Sequence, residues 1–327
     1  MPRRPHLPAW LHRGPGPGAP APPPAREPRI LATRGAPMPF SKGRMAQALV
    51  LAGADPERAY QIAMRIEREV NATAAEEIPI DQLHGMVEDL LREEGPDLVS
   101  RYHGWREVLR LDRPLMLLIG GATGTGKSTL ATEIAYRLGI SRITSTDVIR
   151  QAMRAFFAQE LMPALHYSSF DAAEGVKIPL PDPDDEDLAL YGFIQQAGQV
   201  AVGANAVVER AVLEGLPTVV EGIHVVPGLV TADKHAGAVV VQVMLTVSDE
   251  EVHQAHFFTR GTDSGGLRAM DRYLKRFGEI RRIQEYLVAR AEKQGWPVVE
   301  SADPAQALLT VMDLILERAT ARAAAVP

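Results

Sequence analysis

Residues 115–128 read LMLLIGGATGTGKS, an apolar stretch running directly into Gly121-x-x-x-x-Gly126-Lys127-Ser128. Glycines at this spacing let successive backbone N–H groups turn inward and cradle a polyphosphate at the start of a helix. The pattern predicts that the loop Gly121, Ala122, Thr123, Gly124, Thr125 and Gly126, continuing through Lys127, Ser128 and Thr129, holds the phosphates of a nucleoside triphosphate. Lys127 is placed to reach the β- and γ-phosphates, and the Ser128 hydroxyl to take a position on Mg²⁺. The flanks agree with this: a β-type run precedes the loop, and the helix-forming STLATEIAYRL follows it. A Gly-rich turn joining strand to helix is the competing reading. The loop alone does not separate kinases from ATPases, GTPases or motors.

The next strand says more. In RITSTDVIRQAMR, residues 142–154, Asp147 stands at the end of a strand and 20 residues beyond Lys127. Ligands of doubly wound sheets bind at that edge, where a carboxylate can orient an attacking hydroxyl or accept its proton. The same acid could serve only as a helix N-cap. Arg150 and Arg154 lie four apart, so one helical face can grip an anionic substrate, or merely be solvated. A third strand, PTVVEGIH, places Glu221 where a carboxylate would hold Mg²⁺ directly or through water. Gly222 would let backbone approach the substrate, and His224 would point into the same crevice or be structural. Arg260, Arg268 and Arg272 flank a Gly-rich stretch, RGTDSGGLR. Such a loop could close over the phosphates, exclude water and neutralise growing charge, or be plain surface.

These residues need a frame. Residues 1–28 hold ten of the 25 prolines and are expected to form a disordered tail. The domain reading is 1–29 tail, 30–110 helical domain and 111–327 catalytic domain. In the helical domain Ser41 and Asp55 are N-caps, and Pro56 opens the second of four short helices. Beyond Pro114, strands at 115–119, 142–145, 217–221, 238–247 and 297–299 alternate with helices. This predicts an α/β fold of the P-loop NTPase, nucleoside-monophosphate-kinase-like kind, with a parallel sheet covered by helices on both faces. An acidic, Pro-rich insert over 179–187 reads as a solvated hinge.

Composition narrows the partners. Charged residues make up 23% and apolar residues 46%, with net charge −6, which argues against a nucleic-acid-coating protein. No apolar run reaches the ~18–20 residues that span a bilayer, and no secretory signal opens the chain. Zero cysteines exclude disulfides and thiolate metal sites. The expectation is a cytoplasmic protein acting on a small phosphorylated molecule, without nucleic acid or membrane; a homo-oligomer is compatible with it. Basic residues are overwhelmingly arginine, which suits bidentate grip on phosphate and carboxylate and equally fits a GC-rich genome.

Across residues 30–310 the chain resembles the 2-phosphoglycerate kinase family. The resemblance is carried by IGGATGTGKST, by TDVIR at 146–150, LHYSS at 165–169, VEGIH at 220–224 and LTVSD at 245–249, and by RYL with IRRIQEYL further on. The stretch from Met38 to Glu67 is similar to the ATP-cone module that precedes the kinase domain in that family. The resemblance implies ATP-dependent phosphorylation of 2-phosphoglycerate to 2,3-diphosphoglycerate, and nucleotide binding or regulation by the N-terminal module. It also implies that His166, Tyr167 and Ser168 touch substrate, and it suits Arg272 as a further substrate cation. From the residues alone, another anionic acceptor remains open, whether a nucleotide, a sugar or polyol phosphate, or a protein hydroxyl. So does a nucleotide-sensing regulator with little turnover.

Overall fold

The structure is a computed structural model that describes residues 29–31, 37–73, 75–110, 113–176, 185–231, 237–263 and 270–324. The chain opens with β1 (Arg29–Leu31), β2 (Met38–Pro39), α1 (Lys42–Leu51), α2 (Pro56–Ala72), β3 (Glu77–Pro79), α3 (Ile80–Glu94) and α4 (Pro96–Arg110). The caps follow from residue type. Ser41 accepts from the Arg44 N–H, and Asp55 accepts from the N–H groups of Glu57 and Arg58 with Pro56 in the first turn. Apolar residues at helical spacing on α2 (Ala59, Ile62, Ala63, Ile66 and Val70) are all buried, making one side of a separate small core. The four expected helices are joined by a three-stranded sheet of order β2-β1-β3 that sequence reading missed. Its strands have two or three residues each, too few for an alternation to register.

The second unit comprises β4 (Leu115–Gly121), α5 (Lys127–Leu138), β5 (Arg142–Ser145), α6 (Thr146–Phe156), α7 (Asp185–Leu213), β6 (Thr218–Glu221), β7 (Val239–Thr246), α8 (Glu250–Asp263), α9 (Met270–Lys275), α10 (Phe277–Lys293), β8 (Val298–Glu300) and α11 (Pro304–Ala324). The five strands form a parallel sheet of order β5-β6-β4-β7-β8. The fold is α/β with helices on both faces. Successive side chains of β4 take opposite sides: Met116 and Leu118 join the core beneath α7 and α10, Leu117 and Ile119 the core beneath α5 and α11. Burial on both faces explains why β4 is an unbroken apolar run.

The two units share a surface. Leu51 of α1 and Trp105 of α4 are buried in the same cluster as Ile134, Val311, Met312 and Ile315. Arg101 pairs with Asp313 and donates to the Ala52 carbonyl at 2.9 Å, and Gln47 donates to the Tyr136 carbonyl at 3.2 Å. Gly104 has no Cβ because one would stand 2.8 Å from Leu316 Cδ1. Residues 1–28, most of the acidic insert (177–184) and the centre of the Gly-rich stretch (264–269, with Arg268) lie outside the described residues. α7 begins inside the insert at Asp185, and α8 runs to Asp263, so Arg260 stands in a helix rather than a loop.

Candidate active site

The P-loop joins β4 to α5 and is held from outside. Gly121 has φ 151°, and a Cβ there would meet Thr125 Oγ1 at 2.7 Å and the Leu245 carbonyl at 2.8 Å. Three consecutive carbonyls of the loop each accept from a side chain of another element. Thr123 O takes His253 Nε2 at 2.8 Å, Gly124 O takes His256 Nδ1 at 2.9 Å, and Thr125 O takes Ser301 Oγ at 2.7 Å. A trans peptide sets its N–H opposite its C=O, so outward carbonyls turn the N–H groups of Gly124, Thr125 and Gly126 inward. Lys127 is 5% exposed and folds back across the loop, donating to the Ala122 carbonyl at 2.5 Å. A cleft of about 950 Å³ opens beside the loop between the starts of α5 and α11, lined by Gly124, Ser128, Glu133, His256, Ser301 and Leu308 among others.

His253 has its protonation fixed by its neighbours. Nε2 faces a carbonyl, which only accepts, and Nδ1 faces Arg281 Nη1 at 3.5 Å, which only donates. The neutral Nε2–H tautomer results, and burial, opposed in part by the Thr123 hydrogen bond, brings the pKa down to about 4. Gly124 accommodates this packing, since a Cβ there would lie 2.8 Å from Phe257 and 2.9 Å from His253 Nε2. Neither histidine was singled out from sequence, although their i, i+3 spacing on α8 puts both on one face.

The sheet edge expected to take the acceptor is built by β5, α6 and β6. Register aligns Ser145, Glu221 and Ile119 in one row of the sheet. Ser145, not Asp147, caps α6: its hydroxyl accepts the Asp147 N–H at 3.2 Å. The Asp147 side chain is therefore free of capping and 60% exposed, with Arg150 Nε 3.5 Å from it. Glu221 is 4% exposed. Arg154 donates to Gln151 at 3.2 Å on the partly exposed side of α6.

Several expected substrate contacts are engaged within the protein. Arg150 Nη1 donates to the carbonyls of Leu165 (3.1 Å) and Tyr167 (2.9 Å), so it shapes that segment. His166 Nε2 donates to the Phe157 carbonyl at 3.0 Å, and the Tyr167 hydroxyl accepts from Gln159 at 3.3 Å. Ser168 donates to Asp171, and Arg272 pairs with Asp171 and lies 3.2 Å from the Ser168 hydroxyl. Asp171, 5% exposed and also bound by Arg276 at 3.0 Å, thus ties α9 to the 168–171 segment. Gly222 makes room for Thr146. With φ 146°, it would place a Cβ 1.8 Å from Thr146 Oγ1. His224 does not point into the crevice. It is fully buried, with Nδ1 3.1 Å from Thr146 Oγ1 and Nε2 2.9 Å from Gln196 Oε1. Burial brings its pKa down to about 4, against the pull of Asp147.

A second cavity, about 810 Å³, lies in the N-terminal unit, where Arg44, His84, Tyr102, Arg106 and Arg110 meet an apolar wall. His84 Nδ1 and the Tyr102 hydroxyl are 2.8 Å apart. Burial lowers the His84 pKa to about 4 and raises that of Tyr102 to about 12. Among the described residues no three His, Cys, Asp or Glu side chains cluster to hold a metal, and no helix is long and apolar enough to cross a membrane.

A family model described as ATP cone domain matches residues 28–109. Over the longer span, the chain is 40% identical to the 2-phosphoglycerate kinase of Methanothermobacter thermautotrophicus, covering 86% of this chain and 90% of that one. It is 40% identical to the 2-phosphoglycerate kinase of Methanopyrus kandleri, over 81% of this chain and 80% of the other. The corresponding protein of Thermococcus kodakarensis is 40% identical over 84% and 92%.

Proposed function

The chain belongs to the 2-phosphoglycerate kinase family, and from that premise we propose that it transfers the γ-phosphoryl group of ATP to the 3-hydroxyl of 2-phosphoglycerate. The observation that carries the reading is the meeting, at one sheet edge, of a pinned P-loop with an uncapped, exposed carboxylate at Asp147. ATP lies with its phosphates in the loop formed by residues 121–129 and its nucleoside in the adjoining cleft. Lys127 leaves the Ala122 carbonyl for the β- and γ-phosphates. The acceptor hydroxyl forms its bond to the γ-phosphorus as the bond to the β-bridging oxygen breaks, and ADP departs with that electron pair. Asp147 orients the hydroxyl and takes its proton. Arg154 meets the acceptor's carboxylate or phosphate, and Arg150 acts from behind by holding the 165–167 carbonyls. Arg260 and Arg268, with Arg272, supply cations from the α8–α9 side.

Magnesium suits the residues present. Ser128 and the buried Glu221 are hard oxygen donors, and Mg²⁺ is ordinarily held by one or two protein oxygens together with substrate phosphates. Ser128 and Glu221 would hold it, and when bound it neutralises phosphate charge. The domain reading that goes with this is a kinase unit over 111–327 and an ATP-cone unit over 30–110. The Arg44, Arg106 and Arg110 cavity of the ATP-cone unit takes a regulatory nucleotide.

Steady-state ADP release tests the proposal. With ATP and Mg²⁺, 2-phosphoglycerate is expected to drive turnover, while 3-phosphoglycerate, nucleoside monophosphates and gluconate give less than a tenth of its kcat/KM. A kcat/KM higher with any of these than with 2-phosphoglycerate overturns the acceptor assignment.

A further inference from the structure

Three polar side chains with no exposed surface stand behind the acceptor edge: Thr146, Gln196 and His224. Their donors and acceptors are all assigned by geometry. Gln196 Nε2 donates to the carbonyls of Ala164 at 2.5 Å and Tyr167 at 3.1 Å, which turns Oε1 toward His224 Nε2 at 2.9 Å. An amide oxygen only accepts, so Nε2 carries the hydrogen. Nδ1 is then a lone pair, and the Thr146 hydroxyl 3.1 Å away donates to it. The Tyr167 carbonyl also takes Arg150, whose Nε makes no hydrogen bond but stands 3.5 Å from Asp147 as an ion pair. The contacts leave α6 at Thr146, cross the loop after β6, α7 and the 164–167 segment, and re-enter α6 one turn later beside Asp147. They form a closed ring.

We infer that Gln196 and His224 are positioning residues for the phosphoryl acceptor: through this ring they fix the 164–168 segment against the first turn of α6 without touching substrate. The inference rests on the proposed placement of the acceptor against α6. A buried polar group costs free energy unless fully bonded, and three apolar residues would fill the same volume without that requirement. What apolar residues could not do is hold two backbone carbonyls of the acceptor segment and the hydroxyl next to Asp147 in one arrangement. Gly222 is shaped to the ring as well, since any side chain there would displace Thr146 Oγ1. The ring's bonds run to the acceptor side and none of them to the P-loop carbonyls, so its loss falls on the acceptor and not on ATP. A displacement of about 1 Å at a reacting centre can cost on the order of 10²-fold in rate.

Steady-state kinetics of the full chain with ATP and 2-phosphoglycerate, alongside melting midpoints, test this. Thr146→Val and Gln196→Met are expected to raise the acceptor KM by about tenfold or more and to lower kcat, with the ATP KM within about twofold of wild type. Thr146→Ser, which keeps the hydroxyl, is expected to restore the acceptor KM to within about twofold. An unchanged acceptor KM in both variants overturns the inference. So does equal impairment of Thr146→Val and Thr146→Ser, which would trace the effect to the shape of the side chain at that position and not to its hydroxyl. A wild-type chain that shows no turnover with 2-phosphoglycerate refutes the acceptor assignment instead. In that case, and equally if a variant fails to fold, ¹⁵N NMR of the wild-type imidazoles still decides the ring. His224 is expected as the Nε2–H tautomer with a bare Nδ1 at neutral pH; the reverse tautomer or an averaged ring overturns it.

Discussion

Lys127 and Asp147 divide the proposed reaction between a cation on the phosphate side and a carboxylate on the acceptor side, and two substitutions separate them. Lys127→Ala is expected to lower kcat/KM by at least 10²-fold while the melting midpoint holds, because its bonds are to a loop and not to a core. Asp147→Asn is expected to keep the ATP KM and lower kcat by about 10²-fold or more. If it weakens ATP binding and spares the acceptor instead, the roles of Asp147 and Glu221 exchange. The histidines give a stability test. His84, His224 and His253 have folded-state pKa values near 4, below the ordinary 6.5 that the unfolded chain regains. Between those values the unfolded state binds the protons, so stability falls as pH drops from 6.5 toward 4 and is unaffected by these groups above it. Melting midpoints at pH 7.5, 6.5, 5.8 and 5.2 should decline only over the last three; a flat series contradicts the burial of these rings. Residues whose chemistry depends on spacing along the chain, such as Gly121 to Ser128, were legible in sequence. His253, Asp171 and Gln196 were not, because their partners lie 130, 101 and 32 residues away and only the fold introduces them.

At the scale of elements, β4, β6, β7 and β8 were readable as runs of apolar β-formers bounded by turn signals, and β5, which is RITS, from its place between two helical stretches. The three short strands beside α1–α4 carried no such signal. The proposed acceptor segment was singled out only by resemblance, and His166, Tyr167 and Ser168 all bond within the protein. His166, Tyr167 and Ser168 build the segment's shape, and Arg150 fastens it. Glycine 222 is the tightest of these joints. Gly222→Ala is expected to be severely destabilising, by roughly 3 kcal/mol or more, since it combines a positive φ with a Cβ 1.8 Å from Thr146 Oγ1. Gly215→Ala, also at positive φ but with open space around its Cβ, should cost only about 1 kcal/mol, mainly from strain. Denaturant midpoints compare the two directly, and equal losses would show that backbone strain alone, not the approach of α6 to β6, requires the glycine.

For the whole molecule, the change of pattern at Pro114 raised the expectation of a helical unit and a sheet unit, but carried no sign of the surface that α1 and α4 share with α5 and α11. Trp105 is 1% exposed and packs with the α5–α11 side of the sheet, where its indole N–H finds no partner among the described residues, so its contribution is packing. Trp105→Ala should cost about 3–5 kcal/mol, and thus lower the melting midpoint by about 10 °C. Residues 113–327 expressed without the first unit should be poorly soluble or melt well below the full chain, because Met312 and Ile315 lose their cover. A monomeric, soluble truncation with the full-length midpoint would show the interface to be dispensable. Deletion of residues 1–28 is expected to change neither midpoint nor activity.

The pairing of Arg101 with Asp313 spans 212 positions of the chain. At ribosomal speeds of ~5–20 residues per second, the surface that receives α4 is completed roughly 10–40 s after α4 itself has been made. During that interval Leu51 and Trp105 lack the α11 side of their cluster, Val311, Met312 and Ile315, and the nascent chain carries a partly covered adhesive patch on its first unit. Slow codons or a stall before α11 would prolong that exposure, and a chaperone that binds apolar side chains would find its most persistent target on the first unit, although that unit is the first able to fold.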